Sequence, residues 1–352
     1  MTTFNERVNA THNDTAPMPH DKSGDFLSSD FRNSVVYTEE MYTDETAYAD
    51  IIKERVFMEN GAHYEVTSTL SKQRAIDIGI IATAAWLTHD KGLNEDRARR
   101  ASKIGVDTVF ISPQQNLNRR GHFHKSVQNI IAIADFMNTR ADRDPDHLWG
   151  DGISRGGMHN IGGVAHAPMN GKEYIYSDVT VPCFPEGFDA LRDLPQLPDL
   201  IASEFSAATA FIKLPVTAAA HYPRTLAFHP RMLFQHLKEV PTLLGGGVGE
   251  AAKHMPDDTF MHVTNYLGDI MGQGRRWEPI FAKYDNITVE NFVGGGHLSL
   301  AAPRCQEKWQ ARTETIRDII HDDPRIVQLG GTAMREAAHG SSSAFKHRPI
   351  AA

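Results

Sequence analysis

Short runs of β-branched and aromatic residues alternate along this chain with longer stretches whose apolar positions recur every three or four residues. Asp77–Thr83, Asp107–Ser112 and His147–Gly152 are of the first kind and predict strands. Leu93–Ile104 and His124–Met137 are of the second kind. In the latter, Val127, Ile130, Ile131 and Ala134 share one helical face. Strand and helix in alternation predict a parallel sheet wound by crossover helices. Glu54–Leu70 differs, because two β-rich runs flank Glu59-Asn60-Gly61. Asn-Gly between such runs predicts a hairpin, so two antiparallel strands open the sheet.

Beyond Ser154 the glycines and Met158 onward predict a short helix, followed by a strand within Gly171–Phe184. From Glu186 to Pro256 it changes to helical segments rich in Pro, Ala and Phe, which predicts a helical cap inserted at 186–256. The sheet resumes at Thr259–Leu267, passes a helix near Trp277–Tyr284 and adds a last strand at Asn286–Phe292. A final helix is predicted over Pro303–His321. The core therefore comprises 34–185 and 257–325. Residues 1–33 are polar without apolar periodicity and form a mobile arm, and the small, polar residues 326–352 form a flexible tail. No internal repeat is present.

Composition narrows the function classes. The chain has 352 residues, of which 41% are hydrophobic and 23% charged, the balance of a soluble globular protein. A net charge of -8 argues against attraction to nucleic acid or to an anionic membrane and favours a small neutral substrate. The longest apolar run, Ile76–Leu87, is broken by Asp77 and is shorter than the roughly 20 residues of a membrane span. Cys183 and Cys305 form no disulfide framework and match no zinc or redox spacing. With no apolar secretory signal at the N-terminus, they predict a cytoplasmic protein.

The candidate chemistry lies at Gly152-Ile153-Ser154-Arg155-Gly156, a G-x-S-x-G pattern that follows a predicted strand and precedes a predicted helix. A strand reversing into a helix within one residue brings the flanking positions so close that only glycine fits. Such a turn exposes the serine oxygen at the carboxyl edge of the sheet, where open α/β sheets bind ligands. A serine hydroxyl is a weak nucleophile at neutral pH and needs a base, which an acid must orient. His297, in Phe292-Val293-Gly294-Gly295-Gly296-His297-Leu298-Ser299 just after the last strand, is the candidate base. Asp269, at the end of Tyr266-Leu267-Gly268-Asp269, is the favoured acid. It can also be read as a helix cap, and Asp178 competes for the role. Asp257 and Asp258 belong to a loop before their strand.

GISRGG, YLGD and GGGHLSL, in this order and on these strands, resemble the α/β-hydrolase superfamily of serine esterases and lipases over Glu54–His321. The resemblance implies an α/β-hydrolase fold: a mostly parallel eight-stranded sheet flanked by helices, an inserted helical cap and no cofactor. It implies cleavage of a carboxylic ester or related acyl substrate through an acyl-enzyme, with Ser154, His297 and Asp269 as the triad. The oxyanion hole would take the Arg155 N–H and a second N–H from the loop after an earlier strand. That loop reads Thr83-Ala84-Ala85-Trp86-Leu87 in place of the family's usual His-Gly, so Ala84 and Ala85 are both candidate donors and the loop geometry stays open.

The Arg155 side chain either meets an acidic substrate group or pairs with a carboxylate of the cap. Phe205, Phe211, Ile212, Leu214, Tyr222, Phe228, Met232 and Phe234 either line an acyl pocket or fasten the cap to the body. Thioesterase, acyltransferase, perhydrolase and lyase chemistry remain open on the same triad, as does a non-catalytic binding protein of this fold. An aspartate nucleophile is disfavoured because serine occupies the turn.

Three weaker signals are set aside. Leu243-Leu244-Gly245-Gly246-Gly247-Val248-Gly249-Glu250 fails the dinucleotide pattern at Glu250 and reads as a cap hinge. Gly121-His122-Phe123-His124 brings two imidazoles together without the carboxylate a metal motif needs, so no metal is predicted. Arg97, Arg99 and Arg100, beside Glu95 and Asp96, form a solvated helix face and no nucleic-acid patch.

Overall fold

The computed structural model describes residues 34–83, 98–99, 101–112, 122–183, 247–267, 269 and 274–292. They contain one nine-stranded sheet, made of β1 (Val35–Glu45), β2 (Ala49–Met58), β3 (His63–Ser71), β4 (Ile80–Thr83), β5 (Thr108–Ile111), β6 (His147–Ile153), β7 (Glu173–Thr180), β8 (Phe260–Tyr266) and β9 (Ile287–Phe292). The spatial order is β1-β2-β3-β5-β4-β6-β7-β8-β9. β1, β2 and β3 form an antiparallel meander that joins β5 antiparallel, and every pairing from β5 to β9 is parallel. The strand order reverses at β4, which lies between β5 and β6. In open α/β sheets the crevice outside the carboxyl ends at such a point is the ligand site.

The predicted hairpin is present. Its turn is pinned by Met58 N–H donating to Ala62 O at 2.8 Å, by Gly61 at φ 82° and by Asn60, whose Oδ1 accepts from Ala62 N at 3.0 Å. The Asn60 amide also reaches Asn129 Oδ1 at 3.1 Å on the helix packed above. β1 is a strand beyond the eight that the resemblance implies. It runs along the edge of the sheet, mostly exposed, and its pairing with β2 breaks register between Val35 and Tyr37 and again between Glu40 and Tyr42.

Burial explains which strands the sequence made plain. β6 and β7 are buried at every position but the first, as strands covered on both faces are. Neighbouring residues face opposite cores: Ile81 and Leu148 join one, Ile80 and Trp149 the other. The larger core packs α1 (His122–Arg140), α2 (Arg155–His166), α3 (Gly247–Ala251) and α4 (Gly274–Phe281) on the sheet through Phe123, Val127, Ile161, Val248 and Trp277. The smaller core gathers Ile76, Ile78, Ala101, Val106 and Tyr176 on the reverse face. No helix among the described residues is long and apolar enough to cross a membrane.

Ion pairs brace the sheet around β2, β3 and β5. Asp107, 1% exposed and just ahead of β5, takes Arg143 Nε at 2.7 Å and Arg74 Nε at 3.4 Å, and also accepts from the Ser71 N–H. Arg140, in the last turn of α1, holds both carboxylate oxygens of the buried Glu54 on β2. A cavity of about 280 Å³ lies between these pairs, walled by Ser68, Leu70, Val109 and Met137.

Several expectations fall outside the described residues: the arm, residues 186–246 of the cap, Pro303–His321 and the tail. Of the predicted helix Leu93–Ile104, residues 98–99 and 101–103 are described and helical. The glycine run expected to be a hinge becomes α3 from Gly247, with Val248, Ala251 and Ala252 buried in the larger core.

Candidate active site

One residue separates β6 from α2, and it is Ser154. Its φ of 56° and ψ of -117° lie where a side chain is disfavoured, at a cost on the order of 1–3 kcal/mol. The surroundings fix that conformation. Ser154 N–H donates to Thr180 O at 2.8 Å on β7, and Ser154 O accepts from Met158 N–H at 3.1 Å, closing the first helical turn. α2 thus starts at Arg155, directly after the serine.

The two glycines of the motif answer to distinct obstacles. A Cβ on Gly152 would stand 2.3 Å from Gly156 O, and one on Gly156 would stand 2.2 Å from Thr83 O. The turn therefore packs against itself and against the end of β4, where Thr83 Oγ1 donates to Gly156 O at 2.9 Å. Thr83 pairs in register with Gly152, so the last described residue of β4 stands beside the turn. Arg155 is buried at 3% exposure and opens α2. The first N–H groups of a helix have no acceptor within it, and the helix dipole favours negative charge there.

The Ser154 hydroxyl meets a buried cysteine. Cys183 Sγ lies 3.7 Å from Ser154 Oγ and 3.7 Å from Val181 O, at 1% exposure. Three residues past the end of β7, Val181-Pro182-Cys183 curl over the turn. Val181 has φ 42° and donates its N–H to Thr264 O at 2.7 Å, while Trp277 Nε1 donates to Pro182 O at 3.1 Å. Burial pushes the Cys183 thiol well above its ordinary range, and the charge of Asp269 pushes it further. The only sequence signal for this residue was its position just after the strand beside the serine strand.

Asp269 stands three residues past the end of β8, 1% exposed, with its N–H donating to Tyr266 O at 3.0 Å. It is close enough to Cys183 for its charge to act on the thiol. Asp178 is also buried, but it sits within β7 opposite Asp151 and His262, two residues before Thr180. At strand spacing that is about 7 Å back from the rim. Ser154, Arg155 and Asp269 are thus described at the carboxyl edge of the sheet. His297, Ala84 and Ala85 lie outside the described residues, as do Phe205, Phe211, Ile212, Leu214, Tyr222, Phe228, Met232 and Phe234.

Among the described residues no three of His, Cys, Asp or Glu are grouped to hold a metal. His124, from the two-histidine run, is buried between α1 and α2. Its ring lies 6.3 Å from that of His166, while His159 stacks on Phe123 at 5.1 Å. Burial, with His124 alongside, lowers the pKa of His166 to about 3.

No protein-family model matches the chain, and no curated protein does. Solved structures are similar to it. An acetyl xylan esterase from Paenibacillus sp. R4 shares 12% identity at a TM-score of 0.52, over 79% of this chain and 88% of that one. DcsB, solved in complex with its substrate analogue, shares 14% identity at a TM-score of 0.50, over 76% of this chain and 98% of that one. At these identities the likeness is one of fold. The chain has the α/β-hydrolase fold, and the superfamily resemblance carried by its motifs holds at that level.

Proposed function

We propose that this chain is a serine hydrolase that cleaves a carboxylic ester through an acyl-enzyme, with Ser154 as nucleophile, His297 as base and Asp269 as the orienting acid. The observation that carries the reading is the backbone of Ser154, held at φ 56° between β6 and α2 where the strand order reverses. A strained residue fixed this firmly at a ligand-binding edge is the arrangement a nucleophile needs.

In this mechanism His297 takes the proton from Ser154 Oγ as the oxygen attacks the ester carbonyl. The Arg155 N–H, with a second from Ala84 or Ala85, holds the oxyanion. His297 returns the proton to the departing alcohol oxygen as the carbon–oxygen bond breaks, leaving an acyl-serine. Water, deprotonated by the same imidazole, then releases the acid. Asp269 keeps the ring in the productive tautomer and offsets its charge once protonated. Its position past the end of β8 supports it over Asp178, which lies below the rim. The neighbour named for acetyl xylan makes a short acyl group the first to try. A cytoplasmic setting fits the two cysteines.

The test is p-nitrophenyl acetate turnover together with a fluorophosphonate probe mapped by mass spectrometry. The expected result is one adduct on Ser154, lost in Ser154→Ala and His297→Ala, with kcat falling about 10⁶-fold in either variant. Neither turnover nor adduct in the well-folded chain would make it a binding protein of this fold.

A further inference from the structure

We infer that Cys183 is a positioning residue for the proposed nucleophile: its sulfur fixes the Ser154 side chain, and its S–H turns from Val181 O to Ser154 Oγ as the hydroxyl proton leaves. The inference rests on the reading of Ser154 as nucleophile. It begins from the two contacts of one sulfur, each 3.7 Å, with Ser154 Oγ and with Val181 O. A carbonyl oxygen has no proton to give, so on the Val181 side the thiol is the donor. Its single proton is then engaged, and at rest the sulfur faces Ser154 Oγ as a weak acceptor.

That acceptor has two effects. It holds Oγ against the end of β7, and being weak it resists little when the base takes the hydroxyl proton. Once the oxygen carries negative charge it becomes a far better acceptor than a peptide carbonyl, and the thiol can rotate to it without moving the sulfur. The proton that leaves Ser154 goes to His297, and the thiol proton stays on sulfur throughout, so no bond to Cys183 forms or breaks.

The sulfur is held rigidly enough for this task. Val181 is locked at φ 42° by its bond to Thr264 O, and Pro182 O is held by the Trp277 indole. The carboxylate of Asp269 and the burial of the site keep the thiol protonated. Cys183 is therefore a donor in reserve beside Ser154 and no competing nucleophile.

Steady-state hydrolysis of p-nitrophenyl acetate and the rate of fluorophosphonate labelling are compared in the full chain for wild type, Cys183→Ala and Cys183→Ser. Cys183→Ala should lower kcat and the Ser154 labelling rate together by about tenfold, the order of one hydrogen bond, with KM within about twofold of wild type. Cys183→Ser, whose hydroxyl can accept and donate in the same place, should recover most of that loss. Unchanged kcat in Cys183→Ala, a change confined to KM, or a Cys183→Ser variant as slow as Cys183→Ala would each overturn the inference. A wild-type chain that takes no label on Ser154 would instead overturn the hydrolase reading. The two failures are therefore distinct.

Discussion

The two ends of the parallel strands are built on opposite terms. At the carboxyl end, Ser154 and Val181 both hold left-handed φ angles, and the chain there turns so tightly that Gly152 and Gly156 have no room for a side chain. At the amino end Asp107, just ahead of β5, is met by Arg143 and Arg74. Strain persists only where the surrounding structure over-determines it. Here the sheet and its buried helices supply that constraint, and the pairs on Asp107 clamp the start of β5. The contrast predicts that substitutions at one end change reaction rate and those at the other change folding.

The sharpest way to break that division is at the carboxyl end. Asp269→Asn keeps the volume of a buried side chain and removes the charge that would orient His297. It should cut kcat by about 10⁴-fold while the thermal midpoint hardly moves. Asp178→Asn, below the rim, should cost less than about tenfold, and steady-state kinetics on both variants decides between the two acids. An Asp178 effect larger than that of Asp269 would relocate the acid.

At the amino end the expectation inverts. Asp107→Ala strands the Arg143 guanidinium, whose side chain is wholly buried, and should cost about 3–5 kcal/mol in urea denaturation. Ester turnover per folded molecule should stay unchanged. A lost activity at full stability would dissolve the contrast.

A gentler effect on stability comes from the layer between α1 and α2. His166 titrates near pH 3 in the folded chain against 6.5 in its ordinary state. Between those values the unfolded chain binds the extra proton, so stability is complete above pH 6.5 and declines as pH falls toward 3. By pH 5 its share of the loss should reach about 2 kcal/mol. Denaturation midpoints at pH 8 and pH 5 measure it, and His166→Phe should flatten the difference.

The sequence made the centre of this molecule legible and its margins much less so. β6 and β7 are covered on both faces and therefore read as apolar runs, and the glycines about Ser154 announce a turn that sterics permits to no other residue. The place of Asp269 at the sheet edge could be read because a strand pattern ends just before it. β1 could not, since an edge strand with both faces open to water has no alternation to display. Cys183 was missed for another reason. A thiol three residues past a strand has no motif, and its contact with Ser154 exists only once β6 and β7 lie side by side.

The interrupted pairing of β1 reaches beyond the single molecule. A strand at the border of a sheet offers its free amides and carbonyls to any other extended chain, and a long flat one invites copies to zip together. Here two slips in register twist that row, and Glu39, Glu40, Asp44 and Glu45 would face their own kind in a second copy. Growth by further strands beyond β1 is thereby discouraged.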